Sequence, residues 1–232
     1  LRCNKPNITN IVVAGNYIAY YNKSIDLNAN CSGWLITNNF IYGYIDVENN
    51  SSIVISNNVF KGHSNGVINS NSSTMVISNN LFMSWQNFSS VYNATISNNI
   101  LICATTSYTG TYMSNNVFSN NLTYCMNASQ SYVLPTTGNT GSGNLNNQNP
   151  VFETGTINAG YIHSLDYHLK STSPGKNAGT DGTDIGPYGG SSPFVWGGAF
   201  SIPKVTSLNI INPIVKQGTN INVNVKAKKA DL

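Results

Sequence analysis

Asp26 and Asp46 stand 20 residues apart in nearly the same wording, Ile25-Asp26-Leu27 and Ile45-Asp46-Val47, and Glu48 follows two residues later. In extended backbone, residues two apart share a face, so a repeat of that length would gather the three carboxylates into one patch. Such acids repel unless a cation sits among them, and oxygen ligands suit calcium. No Arg occurs after Arg2, so Lys23 and Lys61 are the basic residues this part of the chain offers. The plainer alternative is solvated acids on a wet face. A different chemistry belongs to Tyr17, Tyr20, Tyr21, Tyr42, Tyr44 and Trp85, whose rings can stack on sugars while interleaved Asn and Ser bond hydroxyls. Of these, Tyr42, Tyr44 and Trp85 are the expected binding residues.

The remaining motifs read more simply. His63 in GHSNG (62 to 66) is a loop histidine, and DGTD (181 to 184) is a tight turn without the terminal Glu of a calcium loop. His163 and His168 have only each other at metal-ligand spacing and count as structural or surface residues. No set of residues reads as a catalytic group. Asn-x-Ser/Thr triplets at Asn7, Asn93 and Asn121 follow from an Asn- and Ser-rich composition. The 4 cysteines lack CxxC spacing, which argues against zinc and permits two disulfides. Cys103 and Cys125 lie about one repeat apart and are expected to pair, as are Cys3 and Cys31.

The elements that must position these groups announce themselves in five near-copies of one phrase, ITNNF, ISNNV, ISNNL, ISNNI and MSNNV. They begin at Ile36, Ile55, Ile77, Ile96 and Met113, and VAGNYI (13 to 18) is a degraded earlier copy. A period near 20 residues means a solenoid. The units are alternating runs such as SIVIS and MVIS, with neither helical spacing nor an LxxLxL pattern, so the coils are built of strands. Where such a coil turns sharply, one residue must be left-handed, which Asn tolerates best after Gly. Stacked coils bring like residues together, so Asn39, Asn58, Asn80, Asn99 and Asn116 are expected to form a hydrogen-bonded ladder.

Composition limits the function classes. The chain has 232 residues, 40% hydrophobic and only 8% charged, whereas 39 residues are Asn, 32 of them before position 151. Its first 150 residues hold too few Lys and Arg for a nucleic-acid face. No run of 18 apolar residues spans a membrane, and no signal peptide is visible, so the quoted chain is expected to start after processing or inside a longer one. Low charge and abundant small polar residues favour an extracellular or cell-surface location.

The IxNNxF wording resembles the right-handed parallel β-helix family, the pectate-lyase-like solenoids. In addition, NQNPVF (147 to 152) followed by DYHLKSTSPGKNAGTDGTDIGPYGG (166 to 190) is similar to the closing segment of secreted bacterial β-helix proteins, including the choice-of-anchor surface proteins. The resemblance implies an all-β, right-handed solenoid of six to seven coils over residues 1–132, with a closing segment over 133–203 covering its open end. Residues 204–232 then read as the start of a β-sandwich-like module. It also implies an exported protein fastened to a surface. The column Tyr17, Phe40, Val59, Leu81, Ile100, Val117 should point outward yet is apolar throughout, which marks either a partner surface or a strip buried under the same chain, and cover by the protein's own termini or loops is the expectation. Function is expected to be structural or adhesive, with glycan contact or assembly with other subunits or copies. The alternative is a polysaccharide lyase or hydrolase with a calcium-assisted acidic site; otherwise no cofactor is expected.

Overall fold

The computed structural model describes residues 1–3, 5, 7–27, 31–48, 51–61, 67–70, 73–104, 113–157, 161–196, 204–211, 218 and 223–228. Residues 1–198 form one compact unit and 199–232 another.

The first unit is a parallel β-solenoid of about 5 turns, fewer than the six to seven expected because the stack ends in short, incomplete coils. One sheet stacks Val12–Ala14, Ser32–Thr37, Ser51–Ser56, Ser73–Ser78, Ala94–Ser97, Val117–Ser119 and Thr140–Ser142. The other includes Tyr17–Leu27, Phe40–Val47, Val59–Lys61, Leu81–Ser84, Ile100–Cys103 and Leu122–Cys125, and Arg2–Cys3 adds to its edge beside Leu27. All pairings in this unit's sheets are parallel, and there is no helix among the described residues. Alternation works as expected: Trp34 and Ile36 turn into the core. Ile36, Ile55, Ile77 and Ile96 line one wall, facing Ile41, Phe60, Phe82 and Leu101, and Phe60 lies flat on Phe82 at 4.7 Å. Each such buried side chain contributes about 2 kcal/mol.

Each Asn of the repeated pair has its own task. The first of each pair, Asn38, Asn57, Asn79, Asn98 and Asn120, takes the left-handed conformation that turns the coil (φ +50 to +57°). The second is buried in the ladder: the backbone N–H and Nδ2 of Asn39 donate to Asn58 Oδ1 at 2.9 and 3.0 Å, and the same two bonds recur at each step. The ladder runs Asn16, Asn39, Asn58, Asn80, Asn99, Asn121, Asn144. Asn116 is therefore not its fifth member. MSNNVFSNNL holds two Asn pairs in one coil, and strand pairing sets Phe118, not Met113, beside Ile96. Asn116 belongs to a second corner, where it accepts from Ala94 N and donates to Asn139. By the same shift Leu122, not Val117, follows Ile100 in the outward apolar column. Winding also continues beyond residue 132, since Thr140–Ser142 pairs with Val117–Ser119.

That outward column is covered from Phe40 to Leu122, while Tyr17 at its start stays exposed. Phe40 is 2% and Leu81 0% exposed, because Phe152, Tyr161, Tyr167, Leu169, Ile185 and Phe194 pack on the strip. The closing segment thus runs lengthwise along the side of the stack as a strap, rather than lying only across its open end. The first Asn of each pair clasps it. Asn120 donates to Ala178 O, Asn98 to Thr180, Asn57 to Pro187 O and Gly189 O, and Asn38 to Ser192 O. Asn79 Nδ2 is buried without a hydrogen bond, the one weak clasp in this row.

The expected cysteine partners meet, as thiols. Cys3 Sγ and Cys31 Sγ are 2.9 Å apart, and Cys103 and Cys125 are directly opposed on adjacent strands. Burial pushes the Cys103 thiol up to about 12. The second unit contains an antiparallel pair, Lys204–Ile210 with Val223–Lys228, and between them lies Gly218.

Candidate functional site

The site grows from an irregularity between two neighbouring strands. Ala19 pairs with Tyr42 and Lys23 with Tyr44, so three residues on one strand oppose a single residue, Gly43, on the other. This bulge throws Tyr20 and Tyr21 into solvent, 59% and 51% exposed. Ser24 Oγ pins it by donating to Tyr20 O and Tyr42 O. Gly43 is required: its φ is +134°, and a Cβ there would lie 2.1 Å from Tyr20 O. Tyr21 meets Tyr42 edge to face at 5.5 Å, and Lys61 Nζ lies 5.7 Å from the centre of the Tyr42 ring.

After a second shift at Ser24 the register resumes from Ile25, and Arg2, Asp26, Asp46 and Asn69 form a row across four adjacent strands. Lys23 Nζ reaches into it, 2.5 Å from Asp46 Oδ2 and 3.7 Å from Asp26 Oδ1. Arg2 Nε lies 3.3 Å from Asp26 Oδ2, and Asn69 donates to Asp46 Oδ1 at 2.8 Å. Spacing alone correctly made Asp26 and Asp46 neighbours. The calcium trio with Glu48 is not built: Lys23 stands where a shared cation would sit, and among the described residues no three of His, Cys, Asp or Glu converge as a metal group. The hydrogen bond to Asp46 and the nearby carboxylates raise the Lys23 pKa against the opposing effect of burial, whereas a catalytic base needs the reverse. Burial raises the Tyr44 phenol. One polar atom is left over: Asp26 Oδ1 is buried and lacks a hydrogen-bond donor.

The other sequence candidates lie elsewhere. Trp85 is exposed two coils further along the stack, beyond Lys61 and Met83, and does not join the tyrosine group. Tyr17 stacks on Phe40 at 5.1 Å beside His163 and Trp196, an aromatic cluster under the strap's end. Burial lowers the His163 pKa. His168 is bonded to Asp166 and stacked on Tyr188, and Asp181 and Asp184 hold a turn through Thr183 and Lys176. His63 lies outside the described residues. A cleft of about 650 Å³ between strap and solenoid, lined by Tyr124, Val151, Phe152, Ile157 and Ile162, offers no acid or histidine.

Arg2, Asn69 and the bulge itself were missed by sequence reasoning. Two adjacent tyrosines before a lone Gly one coil later were the only signal. The chain matches no family model, no curated protein and no solved structure.

Proposed function

We propose that this chain is a secreted or surface-displayed structural and adhesive solenoid, right-handed like the β-helices it resembles, that contacts glycans through the bulge at Tyr20 and Tyr21. The observation that carries the reading is the pairing of exposed tyrosine rings with Asp26 Oδ1, a buried oxygen that has no hydrogen-bond donor and faces Lys23 Nζ at 3.7 Å. Rings stack on the apolar face of a sugar, and a carboxylate oxygen without a donor accepts a hydroxyl. Tyr42 and Tyr44 belong to this group, and Trp85 offers a separate ring. The lyase or hydrolase reading is disfavoured by Lys23, which is held protonated between the two acids. Titration calorimetry against neutral and acidic oligosaccharides, with Tyr21→Ala and Asp26→Asn as controls, tests the proposal. Binding lost in both variants supports it. Binding unchanged in both, or turnover of a polysaccharide abolished by Asp46→Ala, would overturn it.

A further inference from the structure

We infer that Cys103 and Cys125 are a register lock: closed into a disulfide while the chain folds, they hold the coil between them in one of the two windings that its wording allows. The inference is independent of glycan contact. MSNNV (113 to 117) and FSNNL (118 to 122) lie five residues apart, and either phrase fits beside ISNNI (96 to 100). In the structure FSNNL takes that place. Phe118 pairs beside Ile96, Asn121 accepts from Asn99 as the next rung, and Leu122 pairs beside Ile100.

The rejected phrase is equipped for the same post. Asn115 and Asn120 are both left-handed, at φ +60° and +50°. Asn116 already behaves as a rung: its N–H and Nδ2 donate to Asn139 Oδ1 at 3.0 Å each, and its Oδ1 accepts from Ala94 N–H. Asn121 donates to Asn144 in the same way. A slip of five residues would set Met113 beside Ile96 and Asn116 under Asn99, with an apolar residue at each place where FSNNL has one. That winding would close in 17 residues instead of 22, against 19 from Ile36 to Ile55. The apolar pattern, which normally fixes a strand's register, therefore separates the two windings weakly.

The cysteines separate them sharply. Ile100–Cys103 pairs residue for residue with Leu122–Cys125, so Cys103 and Cys125 are direct neighbours, both buried in the core. Adjacent strands place such Cα atoms about 4.8 Å apart, inside the range of about 4.4–6.8 Å that a disulfide spans. After the slip Asn120 would face Cys103, and Cys125 would lie about 16 Å further along the strand, out of reach.

Closure breaks two S–H bonds and forms one S–S bond. A small-molecule disulfide takes up the two electrons and two protons and leaves as two thiols, by way of a mixed disulfide. That exchange needs a thiolate, and burial pushes the Cys103 thiol of the folded chain up to about 12. The lock is thus set before the coil buries the pair, and a chain folded without oxidant keeps its thiols.

Refolding from urea, once with glutathione disulfide and once with dithiothreitol, tests this. With the oxidant, peptide mapping should find Cys103 joined to Cys125, and hydrogen exchange over residues 113–125 should give one mass envelope at the earliest labelling time. With the reductant the same segment should give two envelopes, one for each winding, as should a Cys103→Ser/Cys125→Ser protein. A second comparison reads the coupling from the other side. Asn121→Ala removes a rung of one winding only and should lose most of the disulfide on oxidative refolding, whereas Asn99→Ala removes a rung that both windings share and should retain it. Cys103 or Cys125 recovered free, or joined to Cys3 or Cys31, overturns the inference. So does a single envelope in the reduced or the serine protein, whether it matches the oxidised one or is unprotected, or equal disulfide yields from the two asparagine variants.

Discussion

Asn80→Ala removes a ladder rung where it is driest. Asn80 is fully buried; its Nδ2 donates to Ile55 O and Ser78 O at 2.9 Å each and to Asn99 Oδ1 at 3.0 Å, while its Oδ1 accepts from Asn58 N–H at 2.9 Å. Alanine keeps its own backbone bond to Asn99 but strips the Asn58 N–H of its acceptor and two carbonyls of a donor. An abandoned buried group costs about 1–3 kcal/mol, and the stranded Asn58 N–H together with the donors lost at Ile55 O and at Ser78 O, which keeps that of Asn57 N–H, should cost about 3–5 kcal/mol. That is a large share of a domain's usual stability of about 5–15 kcal/mol. Asn16→Ala makes the same chemical change at an exposed end, where water replaces the lost bonds, and should cost no more than about 1 kcal/mol. Urea unfolding followed by circular dichroism checks both: at a slope of about 2 kcal/mol per molar, Asn80→Ala should lower the midpoint by about 1.5–2.5 M and Asn16→Ala by under about 0.5 M. Equal losses at the two positions would refute the idea that burial of the rung, and not its hydrogen bonding as such, sets the cost.

Asn57→Gly should keep the left-handed turn and delete only the clasp on Pro187 and Gly189, so limited proteolysis between residues 178 and 195 should quicken while the solenoid's circular dichroism is unchanged. Gly43→Ala drives a Cβ into Tyr20 O at a φ of +134° and should cost about 2–4 kcal/mol together with any sugar binding at the bulge, read by thermal unfolding and calorimetry. The Lys23 pKa is raised above 10.5, so the ammonium's contribution to stability is whole below that pH and fades as pH climbs through the raised value. Lys23→Met should flatten the alkaline decline, measured by urea melts on either side of pH 10.5, while the decline owed to Cys103 and Tyr44, whose raised values act with the same sign, remains.

The sequence was legible wherever one residue type does one thing per coil. Ile36, Ile55 and Ile77 disclosed the core wall, their Asn neighbours the ladder, and the apolar row from Phe40 to Ile100 the need for cover. It misled where two signals overlapped: MSNNVFSNNL offers two registers, and only the backbone pairing of Phe118 with Ile96 chooses between them. The calcium trio failed for a similar reason. Asp26 and Asp46 were correctly aligned by the 20-residue spacing, but Lys23 enters between them only because the two register shifts on either side of it add three residues to its strand, a local geometry that periodicity does not encode. The role of the strap's clasps was hidden because nothing in an Asn pair says which neighbour its first side chain will meet.

Successive rungs are separated by 23, 19, 22, 19, 22 and 23 residues, yet their bonds hardly change in length. The asparagine bend acts as a fixed datum, and slack of up to four residues is taken up elsewhere around the circumference. Peptides grafted at those other bends should therefore leave the vertical pitch of about 4.8 Å undisturbed, making the shaft a ruled scaffold on which foreign loops could be displayed at known heights.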